Sequence, residues 1–114
     1  MKKNAIELCK YLDVKKAEDI TLLDLRERST LTDFFIIASA RNSRHAKSLA
    51  DDIADGAFEY DMHVKSIEGK QGGEWILIDL YDIVVHIFTP DMRSHYSLER
   101  IWHDAKKIEI DIDR

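Results

Sequence analysis

Gly73-Glu74-Trp75-Ile76-Leu77-Ile78-Asp79-Leu80-Tyr81-Asp82-Ile83-Val84-Val85-His86-Ile87-Phe88 is the longest apolar, β-branched run in the chain, broken once, at Asp79–Asp82. Val and Ile suit a pleated surface, so each half reads as a strand. Folded back at Leu80-Tyr81 as a two-residue hairpin, the run sorts its side chains by strand alternation. One face collects Ile76, Ile78, Ile83, Val85 and Ile87 and needs a covering helix. The other collects Trp75, Leu77, Asp79, Asp82, Val84, His86 and Phe88, a mixed surface. In this register Asp79 faces Asp82, and like charges opposite each other are mildly destabilising. A cationic partner resting on both acids would relieve that cost; the competing reading is two acids flanking a solvated turn. A tight primed turn wants positive φ, which Leu-Tyr does not readily supply. Either the loop is longer than two residues or Tyr81 is strained.

The rest of the chain is read around this hairpin. Its 114 residues make one domain, with 45% hydrophobic and 34% charged residues, an ordinary globular balance. Acids outnumber bases 22 to 17, a net charge of −5. Bulk positive charge is therefore not available to grip nucleic acid, and a basic protein surface is the natural electrostatic partner. The single cysteine, Cys9, forms no internal disulfide, which fits a reducing compartment. The first residues carry lysines but no apolar run behind them, and no stretch approaches ~18 apolar residues. The expected setting is the cytoplasm, with no membrane contact.

Residues 2–12 place Ala5, Leu8, Cys9 and Leu12 on one helical face, with Cys9 as an apolar packer. Strands follow at Ile20–Leu25 and Asp33–Ala38, the second an apolar run without alternation. Asn42 or Ser43 caps a helix whose apolar face holds Ala46, Leu49, Ala50, Ile53, Ala54, Ala57 and Phe58, despite Gly56. That small-residue face would sit close over the isoleucine face of the hairpin. Met62–Ile67 is a third strand, and Glu68–Gly73 a glycine-rich turn into the hairpin. Thr89-Pro90-Asp91 starts a helix, and Ser97–Trp102 begins another. The expected fold is α+β: a mixed five-stranded sheet with helices mainly on one face, the tail 106–114 frayed.

A search for chemistry finds no catalytic constellation. Gly69, Gly72 and Gly73 lie between strands and are followed by no Gly-Lys-Ser/Thr, so they make no phosphate cradle. His86, His95 and His103 lack the close spacing of a zinc site. Asp79 and Asp82 are the types that hold Mg²⁺, but the Gly-Ser loop and third acid of a nucleotidyltransferase are not found. No cofactor is implied. Arg41, Arg44, His45 and Lys47 gather at a helix start, either solvated and paired with neighbouring acids or offering a secondary contact to phosphate or an acidic surface.

Asp24-Leu25-Arg26, Thr32–Ala38 and Ser43-Arg44-His45 resemble the first half of the ribosomal silencing factor family (RsfS, or iojap-like). Glu68-Gly69, Glu74–Asp79, Asp82–Phe88 and Tyr96–Trp102 resemble its second half. The blocks run in order over about residues 20–104. Trp-x-x-x-Asp, Asp-x-Val-Val-His and Leu-Glu-x-x-Trp are specific in combination, though each alone is weak. Tyr81 stands where the family usually has Gly in the hairpin turn, and Ala40-Arg41-Asn42 replaces a Gly-Thr-Ser-like loop.

The resemblance implies a homodimeric, non-enzymatic translation regulator with a nucleotidyltransferase-like fold. It implies binding to ribosomal protein L-fourteen on the large ribosomal subunit, obstruction of small-subunit joining, and repression of translation when nutrients are short. Organellar relatives act in large-subunit assembly. Trp75, Leu77, Asp79, Asp82 and His86 share one expected face and are the candidate partner-binding residues, with Glu68, Tyr81, Met92 and Tyr96 near them. Trp75 would be the apolar anchor, tryptophan being over-represented among residues that dominate binding energy; a core tryptophan is the competing reading. The rival functions are a metal-dependent nucleotidyltransferase-like enzyme and a dimeric adaptor with another basic client.

Overall fold

A computed structural model describes residues 2–27, 30, 32–95 and 106–110. The elements, in chain order, are α1 (Lys2–Val14), β1 (Glu18–Asp24), β2 (Phe34–Ser39), α2 (Ser43–Gly56), a 3₁₀ turn (Ala57–Tyr60), β3 (Ser66–Glu68), β4 (Trp75–Asp79), β5 (Ile83–Phe88), α3 (Pro90–His95) and β6 (Lys106–Ile108). The strands form one mixed sheet in the order β3-β4-β5-β2-β1-β6. Only the β2–β5 pair is parallel; the others are antiparallel.

The expected α+β class holds, but the sheet has six strands rather than five. Lys106–Ile108, expected to fray, pairs antiparallel with Leu22–Asp24 and buries Ile108. A three-residue strand is too short to declare itself by alternation, and a long-range neighbour decides its state. The expected helix at Ser97–Trp102 lies outside the described residues, as do residues 111–114.

The helices α1 and α2 cover one face of the sheet. Ala5, Leu8, Cys9 and Leu12 of α1, which lies over β1 and β2, and Ala46, Leu49, Ala50 and Ile53 of α2, which lies over β4 and β5, are buried in one cluster with Ile76, Ile78, Ile83, Val85 and Ile87. The greasy hairpin face thus receives the small-residue helix expected for it. Asn42 is the N-cap of α2; its side-chain oxygen accepts the His45 N–H at 2.8 Å. Helix α2 ends at Gly56, and the change to 3₁₀ geometry rotates Phe58 off the apolar stripe, leaving it 77% exposed. Cys9 is buried among aliphatic side chains, and burial pushes its thiol up to about 12, so it stays protonated as a packing residue.

The opposite face carries a smaller apolar cluster of Leu23, Leu25, Ile37 and Phe88, with Phe35, Trp75 and Met92 half-buried around it. Met92 comes from α3, which packs on β5. This is the face that bears the candidate residues.

Candidate docking surface

The β4–β5 hairpin turns one step later than the sequence suggested. Asp79 pairs with Val84, Leu77 with His86 and Trp75 with Phe88, and the Leu80 N–H donates to the Ile83 carbonyl at 2.8 Å. The two loop residues are therefore Tyr81 and Asp82, not Leu80 and Tyr81. The shift moves the pairing by two residues, so every side chain keeps its face. Asp79 and Asp82 do not face each other across the strands. Asp79 instead accepts the Tyr81 N–H at 2.8 Å through Oδ1, and Asp82 is exposed in the turn.

Tyr81 has φ +72°, and the Asp82 N–H donates to the Leu80 carbonyl at 3.0 Å across it. Such a three-residue turn with positive φ is rare and strained. Of the two alternatives for this turn, strain at Tyr81 is the one realised. The Tyr81 ring is 55% exposed at the hairpin tip, with Lys65 Nζ 5.7 Å from its centroid.

The pairings set the second face in rows. Glu68, Leu77, His86 and Ile37 lie side by side, as do Asp79, Val84 and Phe35, and then Trp75 and Phe88. Burial falls along these rows toward the β3 edge. Ile37, His86 and Phe88 are buried, Trp75, Leu77 and Asp79 half-buried, and Glu68 exposed. Trp75 tilts over Phe88, ring centroids 5.0 Å apart, and is thus partly seated and partly open.

The glycine-rich turn before β4 sets where Trp75 begins. Gly69 has φ +80° and stands so close to the Trp75 carbonyl that a Cβ there would lie 2.1 Å from its oxygen. Gly73, at φ +74°, packs against Ser43 and Lys47 of α2 and donates its N–H to the Gly69 carbonyl at 3.0 Å. Neither position has room for a side chain, and both need the left-handed backbone that glycine adopts freely.

His86 differs from its expected role. It is 4% exposed, so it cannot itself touch a partner. Its Nδ1 lies 3.1 Å from Trp75 Nε1, the indole N–H donating. Burial lowers its pKa from 6.5 to about 4, which keeps the imidazole neutral near pH 7. Met92 is half-buried at the margin of the apolar cluster, while Tyr96 lies outside the described residues.

Phe35 and Phe88, which floor this surface, were not singled out from the sequence. Alternation had placed Phe88 on this face, but the run of Phe35 lacks alternation because both faces of β2 are buried, so its face assignment had to wait for the pairing with β5. Elsewhere, His45 in the basic cluster is taken up by the fold. Its Nδ1 accepts the Arg41 N–H at 3.0 Å, and its Nε2 lies 3.0 Å from the Lys15 carbonyl, tying α2 to the loop after α1. Arg41 and Arg44 remain exposed. No three His, Cys, Asp or Glu side chains converge on a metal-sized site among the described residues.

A family model described as "Ribosomal silencing factor during starvation" matches residues 1–114, the whole chain. The chain belongs to the ribosomal silencing factor family. It is 40% identical over 99 residues to the ribosomal silencing factor RsfS of Bacillus subtilis, covering 87% of this chain and 84% of that one. It is 29% identical over 100 residues to the mouse protein named "Mitochondrial assembly of ribosomal large subunit protein 1", covering 83% of this chain and 43% of the mouse protein. The crystal structure of a Chromobacterium violaceum protein superposes with a TM-score of 0.79 at 30% identity, over 98% of this chain and 90% of that one. The ribosomal silencing factor members are named for regulation rather than for a reaction. Among the described residues, no helix is long and apolar enough to cross a membrane.

Proposed function

We propose that this family member docks on ribosomal protein L-fourteen of the large ribosomal subunit through the second face of its sheet. It then excludes the small subunit sterically and represses translation under nutrient limitation, acting in the cytoplasm as a homodimer and catalysing no reaction. The observation that carries this reading is the half-open column of Trp75, Leu77 and Asp79, rimmed by exposed Glu68, Tyr81 and Asp82. An apolar anchor ringed by carboxylates suits a protein surface rich in Lys and Arg, where rim charges steer association and the central aromatic supplies the energy. The chain's net charge of −5 works in the same direction. The family description and the mouse relative's name both concern the ribosome.

Sucrose-gradient sedimentation of mixed ribosomal subunits, with and without the protein, tests the whole reading. The expected result is fewer joined particles and co-sedimentation of the protein with the large subunit. Undiminished joining at saturating protein would refute it. Trp75→Ala and Asp79→Lys are expected to weaken large-subunit binding by at least ~30-fold and ~10-fold respectively, with the domain still folded. If calorimetry instead shows Mg²⁺-dependent nucleotide binding, the enzyme reading gains.

A further inference from the structure

The hydrogen bond beneath the proposed anchor has a peculiar cost. The Trp75 indole N–H points inward to His86 Nδ1 at 3.1 Å. Because Nδ1 accepts, the proton of the neutral imidazole sits on Nε2. That Nε2 is buried and has no hydrogen-bond partner among the described residues. A buried donor without a partner is unfavourable, and a phenylalanine ring of similar shape would remove it at the cost of leaving the Trp75 indole N–H without its acceptor. The surroundings also favour an apolar ring. Phe88 stacks on the imidazole within 9° of parallel at 6.2 Å, and Phe35 meets it edge-on at 4.8 Å. Packing does not explain the histidine here. What it alone contributes is an acceptor aimed at Trp75.

We infer that His86 is a positioning residue, whose Nδ1 fixes the rotation of the Trp75 indole so that its outer edge meets the ribosomal partner as a preset anchor. The geometry suits that task. Wedged between Phe35 and Phe88, the imidazole is a fixed post. Phe88 lies directly across from Trp75 and supports the face of the indole, while His86, one row further along, holds its N–H. An anchor held before contact loses less side-chain freedom on binding and so binds more tightly. This rests on the docking reading above, and the test separates the two.

The full-length chain is prepared as wild type, Trp75→Ala, His86→Phe, which keeps the ring without the acceptor, and His86→Asn, whose amide oxygen can stand in for Nδ1. Two quantities are measured: hydrogen exchange of the Trp75 indole N–H by NMR, and affinity for purified large ribosomal subunits. The expected result is an indole exchanging at least tenfold faster in His86→Phe, with affinity about fivefold to tenfold weaker, the thermal midpoint close to that of wild type, and both quantities largely restored in His86→Asn. Unchanged exchange in His86→Phe overturns the proposal. So does wild-type affinity in His86→Phe when Trp75→Ala has lost binding. Full affinity in Trp75→Ala overturns the docking reading and the proposal together, an outcome distinct from the other two.

Discussion

Replacing His86 by Phe should flatten the acid limb of this protein's stability curve. Burial lowers the His86 pKa from 6.5 to about 4, so the unfolded chain accepts a proton there that the folded chain refuses. Above pH 6.5 both states are neutral at this residue and it adds no pH dependence. Between pH 6.5 and 4 the unfolded state binds more protons, so stability falls as pH falls; below 4 the effect levels off. A difference of 6.5 minus about 4, at ~1.4 kcal/mol per unit, amounts to about 3 kcal/mol. Against a total stability of roughly 5–15 kcal/mol for a small domain, that is a large share. Asp24 acts lower on the scale. The hydrogen bond from the Arg26 side chain holds its carboxyl below the ordinary 3.8, so its contribution is lost only at pH values beneath this window. Urea unfolding of wild type and His86→Phe at several pH values between 7 and 4.5 measures the difference directly. The two stabilities should diverge steadily as pH falls, with His86→Phe the less sensitive. Parallel curves would refute the assignment of a buried, neutral imidazole.

Other substitutions read the backbone of the same surface. Tyr81→Gly removes strain at φ +72° and should raise stability by about 1 kcal/mol in urea melts, while weakening large-subunit binding if the exposed ring is a contact. Gly69→Ala would force a Cβ to within 2.1 Å of the Trp75 carbonyl oxygen at a left-handed position, and should destabilise by on the order of 3 kcal/mol. Asn42→Ala leaves the His45 N–H without its cap and should cost about 1 kcal/mol, with large-subunit binding unaltered.

Much of this architecture is local in origin and was therefore legible from residue order. Strand alternation separates Ile76, Ile78, Ile83, Val85 and Ile87 from Trp75, Leu77 and Asp79, whichever residues close the turn, because a two-residue shift in register preserves parity. The helical period placed Leu8 and Leu12, and Leu49 and Ile53, in the core for the same reason. The family blocks around Trp75 and His86 likewise lie in the linear sequence, and the match over residues 1–114 bears them out.

What lies beyond local periodicity required the assembled sheet. The turn's true centre at Tyr81-Asp82 depends on Asp79 taking the Tyr81 N–H and on the entry to β2, where the N–H groups of Asp33, just before the strand, and Phe34 both donate to the Asp82 carbonyl. The sixth strand exists because β1 offers an edge to Lys106–Ile108, a neighbour some eighty residues away along the chain. His86 alternates in step with Trp75, so the sequence put it on the same face, but only the parallel pairing with β2 brings Phe35 and Ile37 alongside and buries it. Alternation tells which way a side chain points; how deep it lies depends on what the rest of the chain packs around it.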